Sequence, residues 1–419
     1  MSPETHESIT EPELPIPEQE PSDSLRATAM QSFDFRRRIM SCLAGPLAIS
    51  SVLFGTSLEP AAMSLTDLGV RDAEIALNHG PQLDFQGVTA TEAVDQTYRA
   101  FSLGNGFYID NIGKVSSLAT TWSQVQVMNM LDIANLLNPN QGYDQKLEQS
   151  MEAEDTYWDK FPAGTPAGYD ASRNFGFTPP ERYLDDNLWV GLRKLKEYQR
   201  TGDEADVNRV GQIMNLFIRQ RDAENGGYYW KVQLSTETDH GQVMVSNATA
   251  IPILVNMYSS GHGDASYLTI AEQTFTWAQQ LYDPVTGLYF DNISAYGQIE
   301  KKIFTYNQAE VLNAMVALNK VDSARYPLQE AIDFAKTTMD YFSSHEGYGI
   351  SRFDVIYLMS LMHLASILND NSFTETVQQA VNLAKDAINN SPESLADAAG
   401  SAAVLALSEM PFSKWASLG

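Results

Sequence analysis

From about residue 87 onward the chain consists almost entirely of segments whose apolar residues recur at helical spacing, and these segments come in two alternating kinds. One kind is apolar nearly all round and poor in charge, at 122–138, 185–200, 244–259, 306–320, 352–368 and 393–409. The other is amphipathic, at 89–103, 204–221, 264–282, 323–343 and 372–390. A helix that is apolar on most sides has to be enclosed, whereas an amphipathic one keeps a wet face. Their alternation predicts concentric layers, with inner helices surrounded by outer ones. Continuous β-branched alternation of the kind strands need is nearly absent. A sixth outer helix is needed to match six inner ones, and it falls in 145–158 or 65–80. The expected fold is all-α: an (α/α)6 toroid, or barrel, of alternating inner and outer helices, forming a single domain over residues 60–419.

An internal repeat supports this count. Gly106-Phe107-Tyr108-Ile109-Asp110-Asn111-Ile112 recurs as Gly287-Leu288-Tyr289-Phe290-Asp291-Asn292-Ile293, with a looser copy at Gly226-Gly227-Tyr228-Tyr229-Trp230. Each copy follows an amphipathic helix and precedes an apolar one. Glycine with alternating aromatics suits a short hairpin or extended loop, so such loops gather at one end of the toroid.

The N-terminus is a separate matter. Residues 1–38 form a leader rich in Pro and Glu; up to residue 34 it has too little apolar surface to offset its ordering entropy, which predicts disorder. Arg36, Arg37 and Arg38 then flank an uncharged run, 39–58, the pattern of an export signal or membrane anchor. No A-x-A cleavage site follows it, so a cleaved signal and a tether both stand. The expectation is a secreted or cell-surface monomer, held at the membrane through 39–58 if the run is kept. Cys42, the single cysteine, lies inside that run, which excludes a disulfide framework and any Cys-based zinc site.

Charge narrows the partners. Lys and Arg number 27 against 53 Asp and Glu, a net charge of -26. A field of that sign repels phosphate backbones and anionic lipid headgroups, so no nucleic-acid partner is expected. Neither a phosphate-cradling glycine loop nor a dense ligand cluster is present, and the His residues form no H-E-x-x-H arrangement. No cofactor and no metal are therefore expected.

The sharpest constellation is Tyr183-Leu184-Asp185-Asp186-Asn187-Leu188-Trp189. Acidic residues in a first helical turn have an ordinary explanation, since they cap free N–H groups and complement the dipole. Here, however, the pair opens an inner helix beside Tyr183 and Trp189, at the end where Trp230 and Tyr289 also gather. Two carboxylates about 5–5.5 Å apart repel by about 3 kcal/mol at an effective dielectric near 20. That is enough to keep one protonated while the other is ionised at mildly acidic pH. An ionised nucleophile beside a protonated acid is the arrangement of a retaining glycosidase, and a wider gap holding a water is that of an inverting one. Electrostatics alone accepts either order of roles. Trp122, Asn247, Tyr306, Asn307 and Gln308 stand at or near other inner-helix starts. Aromatic faces there suit the apolar faces of sugar rings, and amides suit hydroxyl groups. The expected partner is a polysaccharide or oligosaccharide.

At these residues the chain resembles glycoside hydrolase family 76, the endo-α-1,6-mannanases, within the six-hairpin glycosidases. The likeness runs through Asp185-Asp186-Asn187-x-Trp189, Asn225-Gly226-Gly227 with Trp230, Ser246-Asn247 and Tyr306-Asn307-Gln308, in family order over most of 87–410. It implies an (α/α)6 barrel and endo cleavage of α-1,6-mannan with retention. It also implies Asp185 as nucleophile and Asp186 as acid/base, and it matches Asn187, Trp189, Trp230, Asn247, Tyr306, Asn307 and Gln308; together with Trp122, Tyr183 and Tyr289 from the aromatic pattern, these are the expected substrate-binding residues. The chain departs from the pattern at Val190, usually aromatic, at Ala309, usually Gly, and in the loose Gly347 to Arg352 segment. These departures bear on substrate identity and leave room for a transglycosylating or non-catalytic glycan-binding protein on the same fold. A terpene cyclase would need a further acid where Trp189 stands. A sugar epimerase would need paired histidines, and His240, His262, His345 and His363 are scattered.

Overall fold

The computed structural model describes residues 83–112, 118–160, 166–173, 181–232, 240–344 and 347–419, all within one unit, Met63–Gly419. The leader, the apolar run 39–58 and the alternative outer helix at 65–80 lie outside the described residues.

Amphipathic and apolar helices alternate along the chain. The odd-numbered, outer helices are α1 (Ala90–Phe101), α3 (Tyr143–Asp155), α5 (Glu204–Ile218), α7 (Ala265–Ala278), α9 (Leu328–Ser344) and α11 (Asn371–Asp386). The even-numbered, inner helices are α2 (Thr121–Leu137), α4 (Leu184–Thr201), α6 (Met244–Ser259), α8 (Thr305–Val321), α10 (Ser351–Leu368) and α12 (Leu395–Ser408). Each inner helix packs on the next in order, and α12 packs back on α2, which closes the (α/α)6 barrel. The sixth outer helix is α3, from the 145–158 alternative.

Composition explains the layering. In α6 every residue from Met244 to Val255 is buried, and so is nearly all of α12, so these helices have no wet face to offer. Outer helices bury one stripe, as α11 does with Phe373, Val377, Ala380, Val381 and Ala384. Four of them are capped at their starts by side chains: Thr89 and Glu92 form a reciprocal capping box on α1, and Asp203, Asp264 and Asp370 cap α5, α7 and α11. The inner helices α4, α6, α8 and α10 begin instead at Tyr183, Val243, Phe304 and Ile350, with no side-chain cap. Their free N–H ends all point to one end of the barrel.

At that end sit short hairpins. The pair β1 (Ser102–Gly104) and β2 (Phe107–Tyr108), the pair β3 (Trp158–Asp159) and β4 (Gly168–Tyr169), and the pair β6 (Tyr282–Asp283) and β7 (Leu288–Tyr289) are antiparallel. Strand β5 (Gln242–Val243) joins β8 (Asn292–Ile293) and β9 (Ile299–Glu300) in the order β5-β8-β9. Two copies of the Gly-aromatic repeat therefore supply strands β2 and β7, and the looser copy makes a bridge from Tyr228 to Arg221.

One device ties these hairpins to the inner helices. Four residues after the N-cap, an amide side chain clamps the backbone of a hairpin tyrosine. Asn187 accepts from Tyr169 N–H at 2.7 Å and donates to its carbonyl at 2.9 Å. Asn247 does the same for Tyr228 at 2.9 and 3.1 Å, and Gln308 for Tyr289 at 2.9 Å in both directions. Gln124 holds the Gly106 carbonyl at 2.6 Å. Each clamp satisfies backbone groups that would otherwise be stranded in a dry interior. Gln308→Leu is thus expected to cost about 3 kcal/mol of stability, since it strands both polar groups of Tyr289. Urea unfolding should show a lower midpoint at an unchanged slope.

Candidate active site

The hairpin backbones cap the uncapped helices, and this fixes two side chains. Leu184 N–H, at the start of α4, donates to the Trp230 carbonyl at 2.8 Å, and Met244 N–H, at the start of α6, donates to the Asp291 carbonyl at 2.7 Å. Trp230 is thereby set beside the first turn of α4, where Asp185 and Asp186 lie, and Asp291 at the start of the neighbouring α6. Asp185, Trp230, Asp291, Asn292 and Tyr306 line a cavity of about 430 Å³.

The two aspartates differ in what holds them. Asp185 accepts from the Trp230 indole N–H at 3.0 and 3.1 Å and from the Asp186 backbone N–H at 3.1 Å. Burial pushes its carboxyl above the usual range, these donors pull it back, and the Asp291 charge pushes it up again. The Asp186 carboxyl has no hydrogen-bond partner among the described residues. Burial first, then Asp185, then Glu154 on α3 push it well above the usual range. Glu154 is itself buried and pushed up by burial to about 8. The pair can therefore hold an anion on Asp185 and a proton on Asp186.

Asp291 is the second carboxylate that lines the cleft, beside Asp185, and the sequence reading left it among the loop residues; Asp186 is buried and is not among the lining residues. Asp291 accepts from Asn307 Nδ2 at 2.9 Å and from Asn292 Nδ2 at 2.8 Å. Its counterpart in the first repeat copy, Asp110, accepts from the Ser123 hydroxyl at 2.5 Å, so a repeated Asp facing the next inner helix was the available signal.

Around the carboxylates runs a belt of rings. Tyr183 lies against Trp230 at 4.8 Å, Tyr306 stacks on Phe353 at 4.2 Å and 20°, and Trp122 touches both Phe353 and Trp189 at 6.2 and 6.0 Å. Phe353, at the start of α10, joins Trp122 to Tyr306 and was not singled out in the sequence. The Tyr306 hydroxyl is pushed up by burial and by Asp291 and Asp185, so it remains a donor.

The sequence-selected residues divide. Asp185, Tyr306 and Trp230 line the cleft, and Tyr183, Trp122 and Asn307 pack around it. Asn187, Asn247 and Gln308 do not line it, because their amides are committed to the backbone clamps. Tyr289 is buried beside Phe334, with its hydroxyl on Gln279. Trp189 is nearly buried and lines a separate axial cavity of about 260 Å³, with Glu310 and Arg193, deeper in the barrel. Val190 and Ala309 are buried as well, so these two departures leave the cleft surface unchanged. Among the described residues no group of three or more His, Cys, Asp or Glu is arranged to hold a metal ion.

Comparison with known proteins gives a family and a set of folds. The family described as glycosyl hydrolase family 76 matches residues 88–387. No curated protein matches the chain. Among solved structures, a family 76 α-mannanase of Bacteroides thetaiotaomicron aligns at a TM-score of 0.65 and 15% identity, over 77% of this chain and 96% of that one. A family 76 mannosidase of the same organism aligns at 0.62 and 17%, over 76% and 96%. An inactive variant of the α-1,6-mannanase of Salegentibacter sp., with two consecutive aspartates replaced by asparagine and α-1,6-mannotriose bound, aligns at 0.60 and 18%, over 76% and 98%.

Proposed function

The chain belongs to glycosyl hydrolase family 76 and is a glycoside hydrolase, and from that premise we propose that it is an endo-acting α-1,6-mannanase that works with retention through Asp185 and Asp186. The observation that carries this reading is the unequal treatment of the pair. Donors converge on Asp185 and favour its anion, while the buried Asp186 carboxyl meets none among the described residues. An anion next to a retained proton is what a double displacement needs.

In this mechanism Asp185 attacks the anomeric carbon, and Asp186 gives its proton to the departing glycosidic oxygen. A glycosyl ester on Asp185 results. Water then attacks the same carbon, Asp186 takes its proton, and Asp185 leaves as the carboxylate. The Asp186 backbone N–H, in the first turn of α4, donates to Asp185 and favours its charge at both ends of the cycle. Asp291, Asn292 and Tyr306, which line the cleft, offer acceptors and donors for sugar hydroxyls, and Trp122, Phe353 and Trp230 offer ring faces.

The substrate comes from two supports. The Salegentibacter enzyme holds α-1,6-mannotriose in a variant changed at two consecutive aspartates. Asp185 and Asp186 are likewise consecutive and open an inner helix. The basic flank and apolar run ahead of the barrel support an exported or membrane-tethered enzyme that meets its glycan outside the cytoplasm.

Linear α-1,6-mannan incubated with the protein at pH 5–7 should yield a ladder of short oligosaccharides within the first minutes. Release of mannose alone would argue against endo action, and an unchanged polymer would argue against this substrate.

A further inference from the structure

We infer that the tip of the β8–β9 hairpin is a distal sugar subsite, with Tyr296 as its stacking platform; this deepens the mannanase reading and rests on it. Tyr296 is 91% exposed, yet it lines the same cavity as Asp185, Trp230 and Asp291. Among the described residues its ring has no aromatic or cationic neighbour, and its hydroxyl has no hydrogen-bond partner. A large ring held open to water beside a catalytic cleft has both faces free for a ligand. An aromatic face is suited to the C–H face of a pyranose.

The ring sits on a rigid support. Ser294 N–H donates to the Gln298 carbonyl at 2.8 Å, Gly297 N–H returns to the Ser294 carbonyl at 2.9 Å, and the Ser294 hydroxyl accepts from Tyr296 N–H at 3.3 Å and Gln298 N–H at 3.2 Å. Gly297 turns the chain with φ +74°, where a side chain would be strained. Strand β8 pairs on its other side with β5, which runs directly into α6, so the hairpin is attached to the barrel wall. Holding the backbone beforehand lowers the ordering cost when a sugar docks. Asp185 is partly buried at the start of α4 whereas Tyr296, on the same cavity, is open to solvent, which puts the tip at the cavity's outer edge, beyond a short substrate held at Asp185. A longer chain reaches both.

The test is a length series of α-1,6-manno-oligosaccharides, with initial rates for wild type, Tyr296→Ala and Tyr296→Phe, and a thermal melt of each. On the longest chains Tyr296→Ala is expected to lower kcat/KM about tenfold, equal to ~1.4 kcal/mol, mainly through KM. On the shortest chain cleaved it should match wild type, and Tyr296→Phe should match wild type throughout. An equal loss at every length, or no loss at any, would overturn the subsite while leaving the mannanase reading intact. A wild type that cleaves none of the series would instead overturn the mannanase reading, and this subsite with it.

Discussion

Asp185→Asn is expected to leave a folded protein that still binds its glycan and turns it over roughly 10⁴-fold more slowly, as losses of nucleophiles do elsewhere. Asp186→Asn should be as severe on mannan, whose leaving group needs a proton. It should be much milder on an aryl mannoside whose phenolate departs unaided. That difference separates the two roles, and no structural defect would reproduce it.

The same pair sets the pH dependence. The proposed mechanism needs Asp185 ionised and Asp186 protonated. Both carboxyls are raised by burial, and Asp186, lacking donors and facing Asp185, is raised further. The rate should therefore rise as pH climbs through the elevated Asp185 titration and fall as Asp186 loses its proton. Asp186→Asn should remove the falling limb from the profile measured with the activated substrate.

Trp230→Phe is expected to produce the second largest loss. It keeps the ring beside Tyr183 but deletes the N–H that meets both oxygens of Asp185. A hydrogen bond to a charged acceptor contributes about 1.5–3 kcal/mol, so kcat/KM should fall by roughly 10- to 100-fold at mildly acidic pH. Without that donor the Asp185 anion is less favoured. The acid limb should then move to higher pH, whereas a purely structural role for the ring would leave its position alone. A pH–rate profile of the variant decides between these.

The barrel was legible because its physics is periodic. Whether a helix is apolar all round or on one stripe is written into spacing alone, so the expected ends differ from the observed ones by only a few residues for most helices. The largest differences fall at outer-helix ends: α9 begins at Leu328 where 323 was expected, because Asp322 to Pro327 form a turn and loop instead. The acidic pair was legible too, since two carboxylates opening an inner helix beside aromatics are unusual on their face.

The amides were harder to place. Asn187, Asn247 and Gln308 suit a sugar hydroxyl and a peptide group equally well, and type alone does not say which one they meet. Their partners held the answer. Each stands 18 or 19 residues after the tyrosine it clamps, at Tyr169, Tyr228 and Tyr289, and Gln124 stands 18 after Gly106. A repeated offset between a hairpin residue and an amide is a structural signature, because an inner helix meets the preceding hairpin at the same register each time. Asp291 was missed for the opposite reason. Asp followed by Asn in a loop reads as turn chemistry, and only the folded hairpin turns that carboxylate toward Asn307 and the cleft.

The most direct test of retaining cleavage by this pair is to follow the first minutes of α-1,6-mannan digestion by proton NMR and read the configuration of the new reducing ends. The account predicts that the α-anomer appears first and the β-anomer grows in only by mutarotation. A β-anomer formed first would contradict it, placing a water between the carboxylates and removing Asp185 as nucleophile.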